Sequence, residues 1–103
     1  MEFTPLSHET VYRGRAFDVE RVQMSLPDGK QRPYDLVRHN DSVTILPLDG
    51  QGNLLFVNQY RLGAGSNLLE LPAGVMSDGE EPEACAAREV RDETGMAASR
   101  LEL

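Results

Sequence analysis

Apolar residues are sparse and alternating early in the chain, clustered in its middle, and set at helical spacing towards its end. From Glu9 to Arg15 and from Phe17 to Leu26, β-branched and aromatic residues recur in partial alternation: Val11, then Phe17 and Val19, then Val22, Met24 and Leu26. Spacing of period two predicts strands with one half-buried face. Pro27-Asp28-Gly29-Lys30 predicts a turn, with Pro at the second position and Gly near its close. Tyr34 to His39 then predicts a returning strand. An antiparallel segment with so few large apolar residues is marginal alone, so it must pack on something else.

The middle of the chain is more strongly strand-like. Ser42 to Leu48 (SVTILPL) and Leu54 to Tyr60 (LLFVNQY) are almost continuously apolar, and Asp49-Gly50-Gln51-Gly52-Asn53 between them reads as a hairpin loop. Such runs predict burial on both faces, as in a central sheet covered by helices. Pro47 places the end of its run at an edge or a strand terminus. Arg61 to Asn67 is expected as a loop, and Leu68 to Gly74 leads onward.

From about Glu81 to Thr94 the period becomes helical. Pro82 suits the first helical position, Glu80, Glu81 and Glu83 suit the positive end of the dipole, and Gly95 suits a left-handed C-cap. Ala86, Ala87 and Val90 make an arc fit to lie on a sheet. Glu89, Asp92 and Glu93 fall on a neighbouring arc of roughly 100°. Glu89 and Glu93 are i,i+4 neighbours, and two carboxylates ~4 Å apart at an effective dielectric near 20 repel by about 4 kcal/mol. A hard divalent cation reverses that sign. The helix alone leaves two arrangements open: a cation site, or a solvated acidic face with an Arg88–Asp92 ion pair.

The wider spacing bears on that choice. Gly74, five residues, Glu80, seven residues, then Arg88-Glu89-Val90-Arg91-Asp92-Glu93-Thr94-Gly95-Met96 resembles the signature of the Nudix hydrolases. Eight of nine fixed positions agree, and Asp92 stands where the family has Glu. Chance agreement at that level is on the order of one in a million or less at average residue usage. The resemblance implies a loop–helix–loop that binds Mg²⁺ or Mn²⁺ against a diphosphate. By position, Glu89 and Glu93 would be the principal metal ligands and Asp92 a weaker or water-mediated one. Arg88 would orient the carboxylates, Glu80 would tie loop to helix, and Gly74 would allow the turn.

Val57-Asn58-Gln59-Tyr60-Arg61, with Leu69-Glu70-Leu71-Pro72-Ala73-Gly74, is similar to the ADP-ribose pyrophosphatase branch in particular. That likeness implies a substrate arginine at Arg61 and a metal-binding backbone carbonyl at Ala73. Arg38 is a candidate second substrate arginine, since an arginine fork suits a pair of phosphate oxygens. Arg61 also reads as a strand-end surface charge, and Glu70 as either a structural residue or a second-metal ligand. The branch further implies an α/β/α sandwich around a mixed sheet, incomplete here. Residues 1–40 would form an N-terminal antiparallel β extension and 41–103 the first part of the Nudix domain, with its box at 74–96. A similar N-terminal sheet exchanges between subunits in that branch, so a homodimer is expected beside a sheet folded onto its own core.

Composition narrows the partners. A net charge of −7 over 103 residues argues against nucleic acid or an anionic membrane as a partner, so an anionic substrate needs local arginines or metal. Cys85, the one cysteine, allows no internal disulfide and reads as a small buried thiol. Without a signal-like N-terminus or a membrane-length apolar run, a soluble cytoplasmic protein is expected. His8 and His39 lack zinc-site spacing and are expected to be structural. No P-loop motif is present.

A Nudix core ordinarily continues past the position of Leu103 with further strands, a second helix and a loop that often supplies a catalytic glutamate. The chain is therefore expected to be part of a longer protein, ahead of two alternatives: a missing half supplied by another chain, or an incomplete fold stabilised by association. The expected reaction is metal-dependent hydrolysis of a nucleoside diphosphate joined to another group, such as ADP-ribose to AMP and ribose 5-phosphate, with Glu93 or Asp92 available as base. Rival readings are a non-catalytic Nudix-like binding or dimerisation module, and a Nudix enzyme for NADH, a GDP-sugar or a dinucleoside polyphosphate.

Overall fold

A computed structural model describes residues 2–103, which divide into two compact units, one ending at Asn40 and one spanning Asp41–Leu103. The first is an antiparallel meander of β1 (Thr4–Arg13), β2 (Asp18–Ser25) and β3 (Gln31–Arg38), in the spatial order β1-β2-β3. The Pro27–Lys30 turn forms as its composition predicts: Gly29 N–H bonds Leu26 O, and Lys30 N–H bonds the Asp28 carboxylate at 2.9 Å. Pro5 and Pro33 both lie on outer strands, where a missing N–H is tolerated.

Strand β1 begins five residues earlier than the alternation indicates. Thr4 pairs with Ser25 and His8 with Val22, so the length of β2 draws a polar, weakly strand-forming stretch into the ladder. Register shifts between Pro5 and Ser7 and between Thr10 and Tyr12 break the alternation that sequence patterning relies on. Val22 is the buried apolar residue of this unit, while Phe3, Tyr12 and Val37 are exposed.

In the second unit β4 (Ser42–Thr44) pairs antiparallel with β7 (Ala73–Val75), and β5 (Val57–Arg61) pairs with β6 (Ser66–Glu70). Every named ladder is antiparallel. Helix α1 (Pro82–Thr94) packs on β7 and β4. Ile45, Pro72, Cys85 and Val90 are the buried residues of this unit.

Three expectations for the middle of the chain need correction. The run 42–48 pairs as a strand only over Ser42–Thr44, with Ile45 N–H reaching Pro72 O beyond it. Its flanking loop does form: the Asp49 carboxylate accepts from the N–H groups of Gln51 and Asn53, beside an isolated Leu48–Leu54 bridge. Second, the apolar runs are not buried on both faces, since Leu46, Leu48, Phe56 and Tyr60 are exposed. The single α-helix among the described residues covers β4 and β7 and leaves those positions bare. Third, the expected loop 61–67 is the tip of a hairpin. A short 3₁₀ turn, Leu62–Ala64, lets Arg61 pair with Ser66 and Tyr60 with Asn67. Ser66 and Asn67 have weak strand propensity, and pairing overrides it.

Helix α1 keeps close to its sequence limits. Pro82 occupies the first turn after an extended Glu81, and Gly95 takes φ 74° and donates its N–H to Arg91 O. Only glycine adopts that left-handed cap without penalty. Gly95→Ala is expected to cost about 1 kcal/mol of unfolding free energy, read by chemical denaturation. An unchanged midpoint would show that the cap relaxes. No helix among the described residues is long and apolar enough to cross a membrane.

Candidate metal-binding loop and helix

The loop before α1 is closed by its own side chains. Ser77 N–H donates to Glu80 Oε1 at 3.1 Å, and Glu80 N–H returns to Ser77 O at 3.0 Å. From the helix, Arg88 grips the same carboxylate, Nη2 to Oε1 at 2.8 Å and Nε to Oε2 at 3.2 Å. Glu80 thus joins loop to helix, and Arg88 with the Ser77 N–H holds its carboxyl below the usual range. The remaining nitrogen, Arg88 Nη1, donates to Glu89 Oε1 at 3.1 Å. Arg88 therefore spends its donors on Glu80 and Glu89 rather than on Asp92.

Glu89 lies directly over β7. A Cβ placed on Gly74 would fall inside the van der Waals radii of Glu89 Cγ, Cδ and Oε1. Glycine is needed here for room, not for an unusual backbone angle. Burial pushes the Glu89 carboxyl up; Arg88 opposes this, and Glu93 and Asp92 add to it. One turn on, Glu93 Oε2 is buried without a hydrogen-bond partner. An unpaired buried carboxylate oxygen is expensive, so this atom points to a missing positive partner. Asp92 is exposed.

Cys85 is fully buried, its Sγ 3.9 Å from Gly74 O and 3.7 Å from Arg88 Nη2, and burial raises its thiol pKa. It packs the helix on β7 as a small apolar residue. Arg61 reaches Glu70 across the β5–β6 hairpin with two bonds of 2.7 Å, and Glu93 adds to the field that keeps Arg61 charged. Ala73 pairs with Thr44 beside Gly74. Arg38 lies in the first unit, donating to Glu20 Oε2 at 2.7 Å while His8 Nδ1 meets Glu20 Oε1 at 2.8 Å. His39 bonds Asn40 O.

The structure thus brings Gly74, Glu80, Arg88, Glu89 and Glu93 together, with Arg61 in electrostatic reach of Glu93. Sequence reading missed the Ser77 N–H on Glu80, the Arg61–Glu70 pairing and the His8–Glu20–Arg38 cluster. The last two depend on strand register, for which the sequence carries no local signal. Among the described residues, no three His, Cys, Asp or Glu side chains close into a metal cage. The donor set still fits Mg²⁺ or Mn²⁺, because such ions bind through one or two carboxylates and keep waters and phosphate oxygens as other ligands.

These pairings set an acid limb. Glu20, held down by Arg38 and then His8, Glu70 by Arg61, and Glu80 by Arg88 all titrate below 4.5. Their contributions are complete above that value and fade as pH falls through the lowered ones. Glu89, raised above 4.5, has the opposite sign and recovers stability as it protonates. Asp49, held down by Asn53 and the Gln51 N–H, adds a fourth group of the first sign against the one raised group, so denaturation midpoints are expected to hold from pH 7 to about 5 and then decline. A midpoint that rises on acidification would overturn this balance.

A domain model described as the NUDIX domain matches residues 38–103. The chain is 33% identical over 101 residues to an ADP-ribose pyrophosphatase of Bacillus subtilis (strain 168), covering 98% of this chain and 55% of that one. To an ADP-ribose pyrophosphatase of Mycobacterium tuberculosis it is 40% identical over 99 residues, covering 95% and 48%. A crystal structure of an ADP compounds hydrolase superposes with a TM-score of 0.84 at 32% identity, covering 99% of this chain and 56% of that one. The chain therefore spans about half the length of the relatives it matches. The loop and helix from Gly74 to Met96 lie within the matched domain, and this chain belongs to the NUDIX family.

Proposed function

We propose that the chain is the metal-binding part of a hydrolase that cleaves a nucleoside diphosphate joined to another group, with ADP-ribose as its substrate. The observation that carries this reading is the buried, unpartnered Glu93 Oε2 one helical turn from the Glu89 carboxylate. Both similar proteins from bacteria and the similar solved structure carry names that specify an ADP moiety, which supports the substrate class. Water would add to one phosphorus, the bridging P–O bond would break, and AMP and ribose 5-phosphate would leave, each keeping one phosphate.

Glu89 and Glu93 would hold Mg²⁺ or Mn²⁺, with Asp92 through water and the Ala73 carbonyl as further ligands. When bound, the metal would lower the pKa of a water and offset charge on the diphosphate. Arg88 keeps Glu89 in place, Glu80 fixes the loop, and Arg61 would meet the diphosphate oxygens. Glu93 or Asp92 would be within the site to take a proton from the water. A homodimer formed through the first unit's sheet, and a cytoplasmic location, belong to this reading.

The test is release of AMP and ribose 5-phosphate from ADP-ribose with and without Mg²⁺, beside NADH, a GDP-sugar and a dinucleoside polyphosphate. Metal-dependent AMP release fastest on ADP-ribose supports the reading. Faster turnover of another compound moves the substrate. Binding of ADP-ribose without product would instead favour a binding module.

A further inference from the structure

The β5–β6 hairpin carries a charge pair that its ladder does not require. Arg61 Nε donates to Glu70 Oε2 and Arg61 Nη2 to Glu70 Oε1, each at 2.7 Å. The register puts them on one face, and the length of the two side chains spans the ladder between them. Arg61 lies opposite Ser66 and Glu70 opposite Val57, so both side chains project from one face, one at each end of the ladder. The contact is side-on. It occupies the Nε–Nη2 edge of the guanidinium and leaves one Nη1 hydrogen and the second Nη2 hydrogen side by side on the outer edge.

A guanidinium is planar with five donors in fixed directions, so holding one edge aims the other. The outer edge offers two parallel N–H groups, the pattern that matches two oxygens of a phosphate. Exposure agrees with an anchor and a reader: the Glu70 side chain is 26% exposed and that of Arg61 48%. Exposed ion pairs contribute little to stability, so the consequence of this one is orientation. The field of Glu93 reaches Arg61, placing the guanidinium in the electrostatic neighbourhood of the helix carboxylates.

We propose that Glu70 is a positioning residue, clamping Arg61 side-on across the hairpin so that its outer edge takes a phosphate oxygen pair of a nucleoside diphosphate. This rests on the activity proposed above. The test compares the wild-type chain with Arg61→Ala, Glu70→Gln and the double variant. ADP-ribose binding is followed by calorimetry without divalent metal, and steady-state AMP release is followed with Mg²⁺.

Arg61→Ala is expected to weaken binding about tenfold or more, as loss of a charge-assisted bond should. Glu70→Gln is expected to weaken it roughly three- to tenfold and to raise KM with kcat nearly unchanged, the signature of lost uniform binding. In the Arg61→Ala background, Glu70→Gln should add nothing. Effects that multiply, a shifted Mg²⁺ requirement in Glu70→Gln, or no ADP-ribose binding by the wild-type chain would each overturn the inference. The two levels separate cleanly. Multiplying effects with intact AMP release remove the role of Glu70 and keep the activity. Coupled effects on binding without AMP release keep the clamp and remove the activity.

Discussion

Replacing Glu93 with Gln is expected to reduce Mg²⁺-dependent AMP release by at least about 100-fold, since even partners of metal ligands typically cost 10–100-fold. The amide keeps the size of the carboxylate and removes its charge. In the metal-free chain that change relieves repulsion, because Glu93 is one of the groups that raise the Glu89 carboxyl. It also replaces a carboxylate oxygen that is buried without a hydrogen-bond partner. The melting temperature without metal should therefore stay the same or rise, while stabilisation by added Mg²⁺ or Mn²⁺ disappears. Opposite signs in the two measurements distinguish a ligand from a structural residue. Full turnover in the variant would sink the assignment of Glu93 to the metal.

Gly74→Ala should damage the same site from the strand side. The new methyl group would overlap the Glu89 side chain, which is flexible, and would meet no backbone atom among its nearest neighbours. The fold can therefore yield by moving Glu89, and the expected loss of stability is only about 1 kcal/mol. Moving Glu89 breaks its 3.1 Å bond from Arg88 Nη1 and separates it from Glu93. Mn²⁺ affinity, measured by titration, and AMP release should each fall about 10- to 100-fold. Unchanged affinity would mean that Glu89 has a second productive rotamer away from Gly74.

The two variants show why this site was legible in the chain and the Arg61 clamp was not. Glu89 and Glu93 lie on one helix, where an interval of four residues fixes their proximity before any folding partner is considered. Arg88 is on that helix, and Gly74 and Glu80 are tied to it by a short loop, so their spacing along the chain also limits their spacing in space. Arg61 and Glu70 are nine residues apart and meet only because the β5–β6 hairpin turns at Leu62–Ala64. Had that segment been the open loop its composition indicates, the pair would not form. His8, Glu20 and Arg38 come from three strands, and two register shifts separate the β1 pattern from its pairing.

The apolar middle of the chain shows the limit of periodicity. Leu46, Leu48, Phe56 and Tyr60 read as core, and they are exposed because burial requires a covering element as well as an apolar side chain. Cys85 and Val90 read as core and are buried, because helix α1 brings its own face to β4 and β7.

The sequence by itself determined the helix and its two ends, the Pro27–Lys30 turn, and the acidic arc of Glu89, Asp92 and Glu93. These are local matters, set by backbone preference and by rotation of 100° per residue. Only the tertiary structure decided that Arg88 chooses Glu80 and Glu89 over Asp92, that Glu89 fills the space over Gly74, that Glu93 keeps a buried oxygen unpaired, and that Arg61 is held by Glu70. The first is settled between loop and helix, whereas the Arg61–Glu70 contact depends on which strand lies beside which, and strand pairing is a contest among distant segments that no single stretch of the chain resolves.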